Sequence, residues 1–348
     1  MAGIAGVYGP DASHDAALEI IDSLRHRGPD SVHVSEGPHY ALACCQLHAS
    51  DQRKHAYVGG DRQAIVFDGM LLNRRHTYLT DAELVRDLLE TYGRMGVEHL
   101  VGPHAVAVAN ADELLLARDH MGTRPLYYCV DGDTVRFASE MKALLGYCRP
   151  VKELAPGHVF STVNGLQSYP PTPGDEIVHP PCDTEPSPGF VESLREGVEK
   201  CLRDGAVEGV SLQADPGSVA VAALAIAEQP DLPVYIAGVE GSGEVETASE
   251  WADRLGARGP RYTRVCRQTE LRRRVREAVW STETAEPVAV DRAVCALASA
   301  RLTGARTRCV IGGEGLDAVV AHVQALSTDS DDAAAPSAPA AIEQAWLS

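Results

Sequence analysis

The sequence predicts two domains of different class: an α+β layered domain over residues 1–167, then an α/β domain with a doubly wound parallel sheet over residues 190–324. Three observations predict this. The first half is a series of short alternating runs interrupted by only two helical stretches. The second half alternates strand and helix. Between them, Ser168 to Phe190 holds seven of the 21 prolines, a density that neither a helix nor a central strand accepts. Residues 168–189 are therefore read as a linker.

In the first half, Ile4–Tyr8, Tyr40–Leu47, Ala64–Asp68, Ala105–Val108, Leu114–Arg118, Leu126–Val130 and Val135–Ala138 read as strands bounded by turn residues. Ala16–Leu24 reads as a helix following a cap at Ser13. Ala82–Tyr92 follows Thr80-Asp81 and places Leu84, Leu88 and Leu89 on one face. After the linker come an amphipathic helix at Val191–Leu202 and a strand at Gly209–Leu212. Then follow a helix at Ser218–Ala227, a strand at Val234–Val239, a helix at Glu246–Leu255 and a strand at Tyr262–Val265. Leu271–Trp280 is a basic-faced helix, Ala289–Leu302 another helix, and Arg308–Ile311 a strand running into a Gly-rich turn. Ligands of such a sheet are expected at the C-terminal ends of its strands. Residues 325–348 form a low-complexity tail. Its last residues place Ile342 and Trp346 four apart, which reads either as a frayed terminus or as a short docking helix.

Composition narrows the function. The chain has 348 residues, 45% of them hydrophobic, so it can bury a large core and is not disordered. Its formal charge of −18 repels phosphate backbones, which argues against nucleic acid as the main partner. No apolar run is long enough to span a membrane, and no secretory signal opens the chain. Nine scattered cysteines, the adjacent Cys44 and Cys45 among them, suit a reducing cytoplasm better than a disulfide framework.

The order MAGIAGVYG, LRHRGPDS, FDGMLLN, DAELVRDLLETYG, LLLARDHMGTRPLYY, FASEMKALL and LAPGHVF resembles the glutaminase domain of asparagine synthetases. These are class II glutamine amidotransferases of the N-terminal-nucleophile hydrolase fold. GVSLQADPGS, YIAGVEGSGEVETASEWADRLG and CVIGGEGLDAVV resemble their ATP-dependent synthetase domain.

The resemblance implies that a cysteine directly after the initiator Met attacks glutamine, with its own α-amine as base. Here that position is Ala2, and neither Cys44 nor Cys45 carries a free α-amine. The family's oxyanion hole uses Asn-Gly where this chain has Asp68-Gly69. A carboxylate there opposes the developing charge: unit charges ~4 Å apart repel by about 4 kcal/mol at an effective dielectric near 20. Met70 replaces the acid that holds the substrate amine, and Gln46 aligns with the arginine that clamps its carboxylate. Asp81 is the one glutamine-holding group left. It also suits a helix N-terminus. Arg25 to Asp30, the RHRGPD segment, is intact, and its turn and arginines fix the fold around the pocket.

In the synthetase half the resemblance implies a pyrophosphate loop reading Ser-Gly-Gly-x-Asp-Ser. This chain has Gln213-Ala214-Asp215-Pro216-Gly217-Ser218. Asp215 adds negative charge where phosphate would sit, Pro216 lacks an N–H, and Ser218, the one match, is read as a helix cap. Leu212 and Ala237 would flank an adenine. The second loop, Gly312-Gly313-Glu314-Gly315-Leu316-Asp317, keeps the base candidate Glu314 and the Mg²⁺ ligand Asp317, with Ala318 in place of the last acid. The family's closing helical lobe and its lysine have no counterpart after about His322, so the synthetase domain reads as truncated.

These changes predict a pseudoenzyme: a degenerate amidotransferase homologue serving as a binding or regulatory scaffold, with a protein partner or homo- or hetero-oligomer and no cofactor. The alternative is an ATP- and Mg²⁺-dependent amide-forming ligase with a structural glutaminase half, as in the family's β-lactam-forming branches. Those branches keep the phosphate loop that this chain has lost.

Overall fold

The computed structural model describes residues 2–47, 57–59, 63–73, 80–169, 188–203, 207–287, 290, 293–294 and 309–313. The chain divides into two compact units, Met1–Ile177 and Val178–Ser348. Glu314, Asp317, most of the helix expected at Ala289–Leu302 and the tail lie outside the described residues.

The first unit runs β1 (Ala2–Tyr8), α1 (His14–Asp22), β2 (Ser31–Gly37), β3 (Tyr40–Gln46), β4 (Tyr57–Gly59), β5 (Gln63–Gly69) and α2 (Asp81–Tyr92). It continues through β6 (His104–Asn110), β7 (Leu114–Arg118), β8 (Tyr127–Asp131), β9 (Thr134–Ala138), β10 (Lys152–Glu153), β11 (His158–Ser161) and β12 (Gly165–Ser168). The strands form two antiparallel six-stranded sheets, ordered β10-β8-β9-β1-β3-β2 and β12-β11-β7-β6-β5-β4. One core lies between the sheets, where Ile4, Leu42 and Phe137 of the first meet Ala105, Ala107 and Leu116 of the second. The outer face of the first sheet buries Ile20, Ile21 and Leu24 of α1 and the turn that follows it. The outer face of the second buries Ala82, Leu84 and Val85 of α2. The result is a four-layer α-β-β-α domain whose central strands are buried on both faces. This is why β3 and β7 carry unbroken apolar runs.

Local chemistry sets the boundaries. Ser13 accepts the N–H of Ala16 at 3.2 Å, so α1 starts two residues before the expected Ala16. Thr80 and Glu83 form a reciprocal capping box on α2. The ARDHMGTRP segment is a tied loop. The buried carboxylate of Asp119 accepts the N–H groups of His104, Met121, Thr123 and Arg124. Burial works against its charge, but these bonds, with that of the Thr123 hydroxyl, outweigh it and hold Asp119 below the usual carboxylate range.

Two expectations need correction. Ser168 belongs to β12 and Tyr169 is buried in the first unit, so ordered structure runs into the start of the linker expected at 168–189. Cys129 on β8 and Cys148 form a disulfide with Cα atoms 6.3 Å apart. The expectation of cysteines without a disulfide fails there because β8 and the segment after β9 return to the same place.

The second unit contains α3 (Pro188–Arg203), β13 (Val210–Ser211), α4 (Pro216–Glu228), β14 (Val234–Val239), α5 (Glu244–Arg254), β15 (Arg261–Cys266) and α6 (Gln268–Thr282). The strands lie parallel in the order β13-β14-β15, and Ile311 bridges β13 in parallel on its other side. The strand order therefore reverses beside β13. In open α/β sheets that is where a crevice forms. Leu212, Val221, Ala225, Val234 and Ile236 fill the core. Among the described residues, no helix is long and apolar enough to cross a membrane.

Candidate functional site

The first unit gathers most of the residues singled out from the sequence at one end of the inter-sheet core. Ala2 opens β1 and pairs with Gln46 of β3. Its N–H donates to Asp68 Oδ1 at 3.0 Å. Asp68 is the penultimate residue of β5 and is completely buried. Its second oxygen, Oδ2, accepts from Arg27 Nη2 at 2.7 Å. Arg27 also donates through Nε to the carbonyl of Ala2 at 3.0 Å and through Nη1 to Glu140 Oε1 at 3.1 Å. One guanidinium thus ties the first residue of β1 to two buried carboxylates.

The RHRGPD segment explains how Arg27 arrives there. Leu24 to Gly28 turns back on itself, with Arg27 N–H to Leu24 O and Gly28 N–H to Arg25 O. The turn then lies flat on β3: a Cβ on Gly28 would stand 2.4 Å from the backbone of Cys45 and Gln46. Asp30 N–H completes the contact by donating to Gln46 O. The two arginines of the segment have different fates. Arg27 is inside the network, whereas Arg25 is exposed and pairs locally with Asp22.

Glu140 was not singled out by sequence reasoning, although FASEMKALL contains it. It is 3% exposed and receives Arg27, His26 Nε2 at 3.0 Å and Lys142 Nζ. Burial disfavours its charge, but Lys142, Arg27 and His26 outweigh burial and hold it below the usual carboxylate range. Burial likewise opposes the charge on Arg27, and Asp68 with Glu140 overcomes it, raising the guanidinium above its ordinary value. What the sequence hid was spatial: Arg27 and Glu140 lie 113 residues apart.

The other pocket residues have structural occupations. Gln46 is buried, and its amide points to Cys44 Sγ at 3.6 Å. Gly69 has φ 155°, and a Cβ there would stand 2.1 Å from Pro103 O. Met70 is half-buried, with its N–H on the same carbonyl. Asp81 accepts the N–H of Leu71 at 3.3 Å at the start of α2. Burial pushes the Cys44 thiol up to about 12, and it raises Cys45 as well. Neither is poised as a thiolate. Chemically, the site offers a methyl group at position 2. Beside it stands a carboxylate whose two oxygens are already accepting; it has no N–H to give an oxyanion.

In the second unit the crevice beside β13 is filled from within. Asp215 is the N-cap of α4, and its carboxylate accepts the N–H of Ser218 at 2.7 Å. The cap is therefore Asp215 and not Ser218. Ser218 is buried and turns its hydroxyl back to Gln213, accepting its N–H at 3.0 Å. Gly313 rests on the same helix end, and a Cβ there would meet Gly217 and Ser218 backbone at 2.3 Å. Gly312 is half-buried beside it. Leu212 is fully buried in the core and Ala237 is half-buried on β14. The N-terminal end of α4 is thus capped by an acid and met by the backbone of Gly313. No cluster of three or more His, Cys, Asp or Glu suited to a metal is present among the described residues, and Glu314 and Asp317 lie outside them.

The family of proteins described as "Glutamine amidotransferase domain" matches residues 1–173. An asparagine synthetase (glutamine-hydrolysing) of Arabidopsis thaliana is 28% identical over 92% of this chain and 60% of its own length. A second from the same plant is 31% identical over 74% and 50%. The carboxyethyl-arginine β-lactam synthase of Streptomyces clavuligerus is 29% identical over 68% and 50%. This chain thus spans about half the length of the curated relatives it matches. Among solved structures, the glutamine phosphoribosylpyrophosphate amidotransferase of B. subtilis aligns with TM-score 0.40 and 17% identity, over 75% of this chain and 65% of that one.

Proposed function

We propose, from the match of residues 1–173 to the glutamine amidotransferase domain family, that the chain keeps the amidotransferase scaffold without hydrolysing glutamine and works by binding a protein partner. The observation that carries this reading is the double commitment of Asp68, whose oxygens are held by the N–H of Ala2 and by Arg27. An amide at that position could donate to an oxyanion; the carboxylate only accepts. Loss of one oxyanion donor typically costs about 10²–10³ in rate, and here the nucleophile is missing as well. The second unit is read as the counterpart of the synthetase half, with its phosphate loop closed by Asp215. That closure weighs against an amide-forming ligase, which would need the same helix end for pyrophosphate.

The test is ammonia release from millimolar glutamine. The expected result is none above background for the natural chain and none for Ala2→Cys, because Gln46, Asp68 and Met70 still leave glutamine unheld. Ammonia release by either protein would overturn the proposal.

A further inference from the structure

The acidity of this chain reverses locally. Residues 261–277 contain seven arginines and two glutamates, in a protein of net charge −18. They build β15 and most of α6, and a groove of about 570 Å³ lies between the two. Its lining includes Arg264, Arg267, Arg273 and Arg274 with Glu270 and Glu277. Two of these arginines are engaged: Arg264 pairs with Glu270 at 2.5 Å, and the buried Arg274 pairs with Glu277 at 3.1 Å. Arg267 and Arg273, with Arg272 and Arg276 on the exposed side of α6, have no carboxylate partner among the described residues.

Apolar groups stand among these charges. Val265 is 54% exposed, Val275 43% and Trp280 48%. Exposed arginine and tryptophan on one helix form the composition that dominates protein interfaces. From Arg267 to Arg273 the helix rises about 9 Å at 1.5 Å per residue. The two unpaired guanidiniums that line the groove are thus spread along it, and an extended segment crosses that distance in about three residues at ~3.3 Å each. A long polyanion such as nucleic acid is disfavoured by the chain's net charge of −18.

We propose that the groove between β15 and α6 docks an extended acidic segment of a partner protein, with carboxylates on Arg267 and Arg273 and an apolar side chain toward Trp280. The inference supplies the partner's chemistry for the scaffold reading and rests on it only in taking the chain as a binding protein.

The experiment measures fluorescence anisotropy of labelled 12-residue peptides against the full chain. One pool has Asp or Glu at every second position with Leu, Phe or Trp between; its control pool has Asn or Gln instead. The acidic pool is expected to bind, more tightly at 50 mM than at 200 mM salt. The triple change Arg267→Gln, Arg273→Gln, Arg276→Gln should weaken it about tenfold or more, and Trp280→Ala should weaken it at unchanged salt dependence. These positions are exposed, and circular dichroism of each variant checks the fold. No binding of the acidic pool, equal binding of the neutral pool, or an unchanged triple variant overturns the proposal. Tighter binding of oligo-dT or tripolyphosphate on the same arginines also overturns it. Each of these outcomes leaves the glutamine assay on the first unit untouched.

Discussion

Replacing Arg27 by methionine removes one charge from between two buried carboxylates while roughly keeping the side chain's length. Asp68 is completely buried and Glu140 is 3% exposed, so water cannot replace the lost partner. Lys142 and His26 still serve Glu140, whereas Asp68 keeps only the N–H of Ala2. Breaking a buried pair from one side typically costs about 3–5 kcal/mol. At roughly 2–4 °C per kcal/mol for a unit of this size, the first unit should melt about 6–20 °C lower. The assay can separate the units. All three tryptophans lie after residue 177, so fluorescence of Trp251 and Trp280 follows the second unit, while far-UV circular dichroism follows both. The loss should appear in the dichroism transition and leave the tryptophan transition in place. It should also fade in acid. Glu140 titrates below its unfolded value, so its stabilising part is present above about pH 4.3 and disappears as pH falls through its lower folded value. Arg27→Met with Asp68→Asn should recover part of the loss, since no bare charge then remains at position 68. A melting shift under about 2 °C at pH 7 would refute the claim that this guanidinium holds the end of the inter-sheet core.

Two further outcomes follow from the same reasoning. Asp215→Ala should destabilise the second unit by about 0.5–2 kcal/mol through loss of the α4 cap, read as an earlier tryptophan-detected urea transition; an unchanged midpoint would deny the cap its role. Cys44 and Cys45 are completely buried with raised thiol pKa values, so iodoacetamide at pH 8 should leave both unmodified in the native protein and label both in urea; labelling of the native protein would contradict the closed site.

Strands with a buried face were legible in the sequence. Leu114–Arg118 is β7 over the same five residues, and Val135–Ala138 lies within β9. Those that escaped, β11 excepted, were sheet edges. β2, with sequence SVHVSEG, ends its sheet and needs few apolar residues, so its pattern reads as loop. β11 and β12 pair around the Thr162–Asn164 turn, and β12, at the other sheet's edge, is equally polar. The site was legible as substitutions: Ala2, Asp68 and Asp215 are visible as residues in unusual places. What each now does was not. That Asp68 is neutralised by Arg27 depends on a contact between residues 41 apart, and that Asp215 has become the cap depends on backbone geometry at Ser218. Electrostatic repulsion was the natural expectation for Asp68 considered alone; the folded chain supplies the counter-charge that a linear reading cannot see.

The core between the two sheets divides its volume unequally. β6 sends only Ala105, Ala107 and Ala109 into it, while β1, β3 and β9 send Ile4, Leu42 and Phe137 from across the seam. Close-packed interiors have no room to absorb a lone enlargement and lose contacts with a lone reduction. Drift in this seam should therefore be correlated: a methylene gained on one sheet survives when one is surrendered on the other. In double-mutant cycles, size exchanges across the seam should be strongly non-additive, and equivalent exchanges within one sheet nearly independent. The alanine strand makes the two sheets a matched pair, so neither can be redesigned alone.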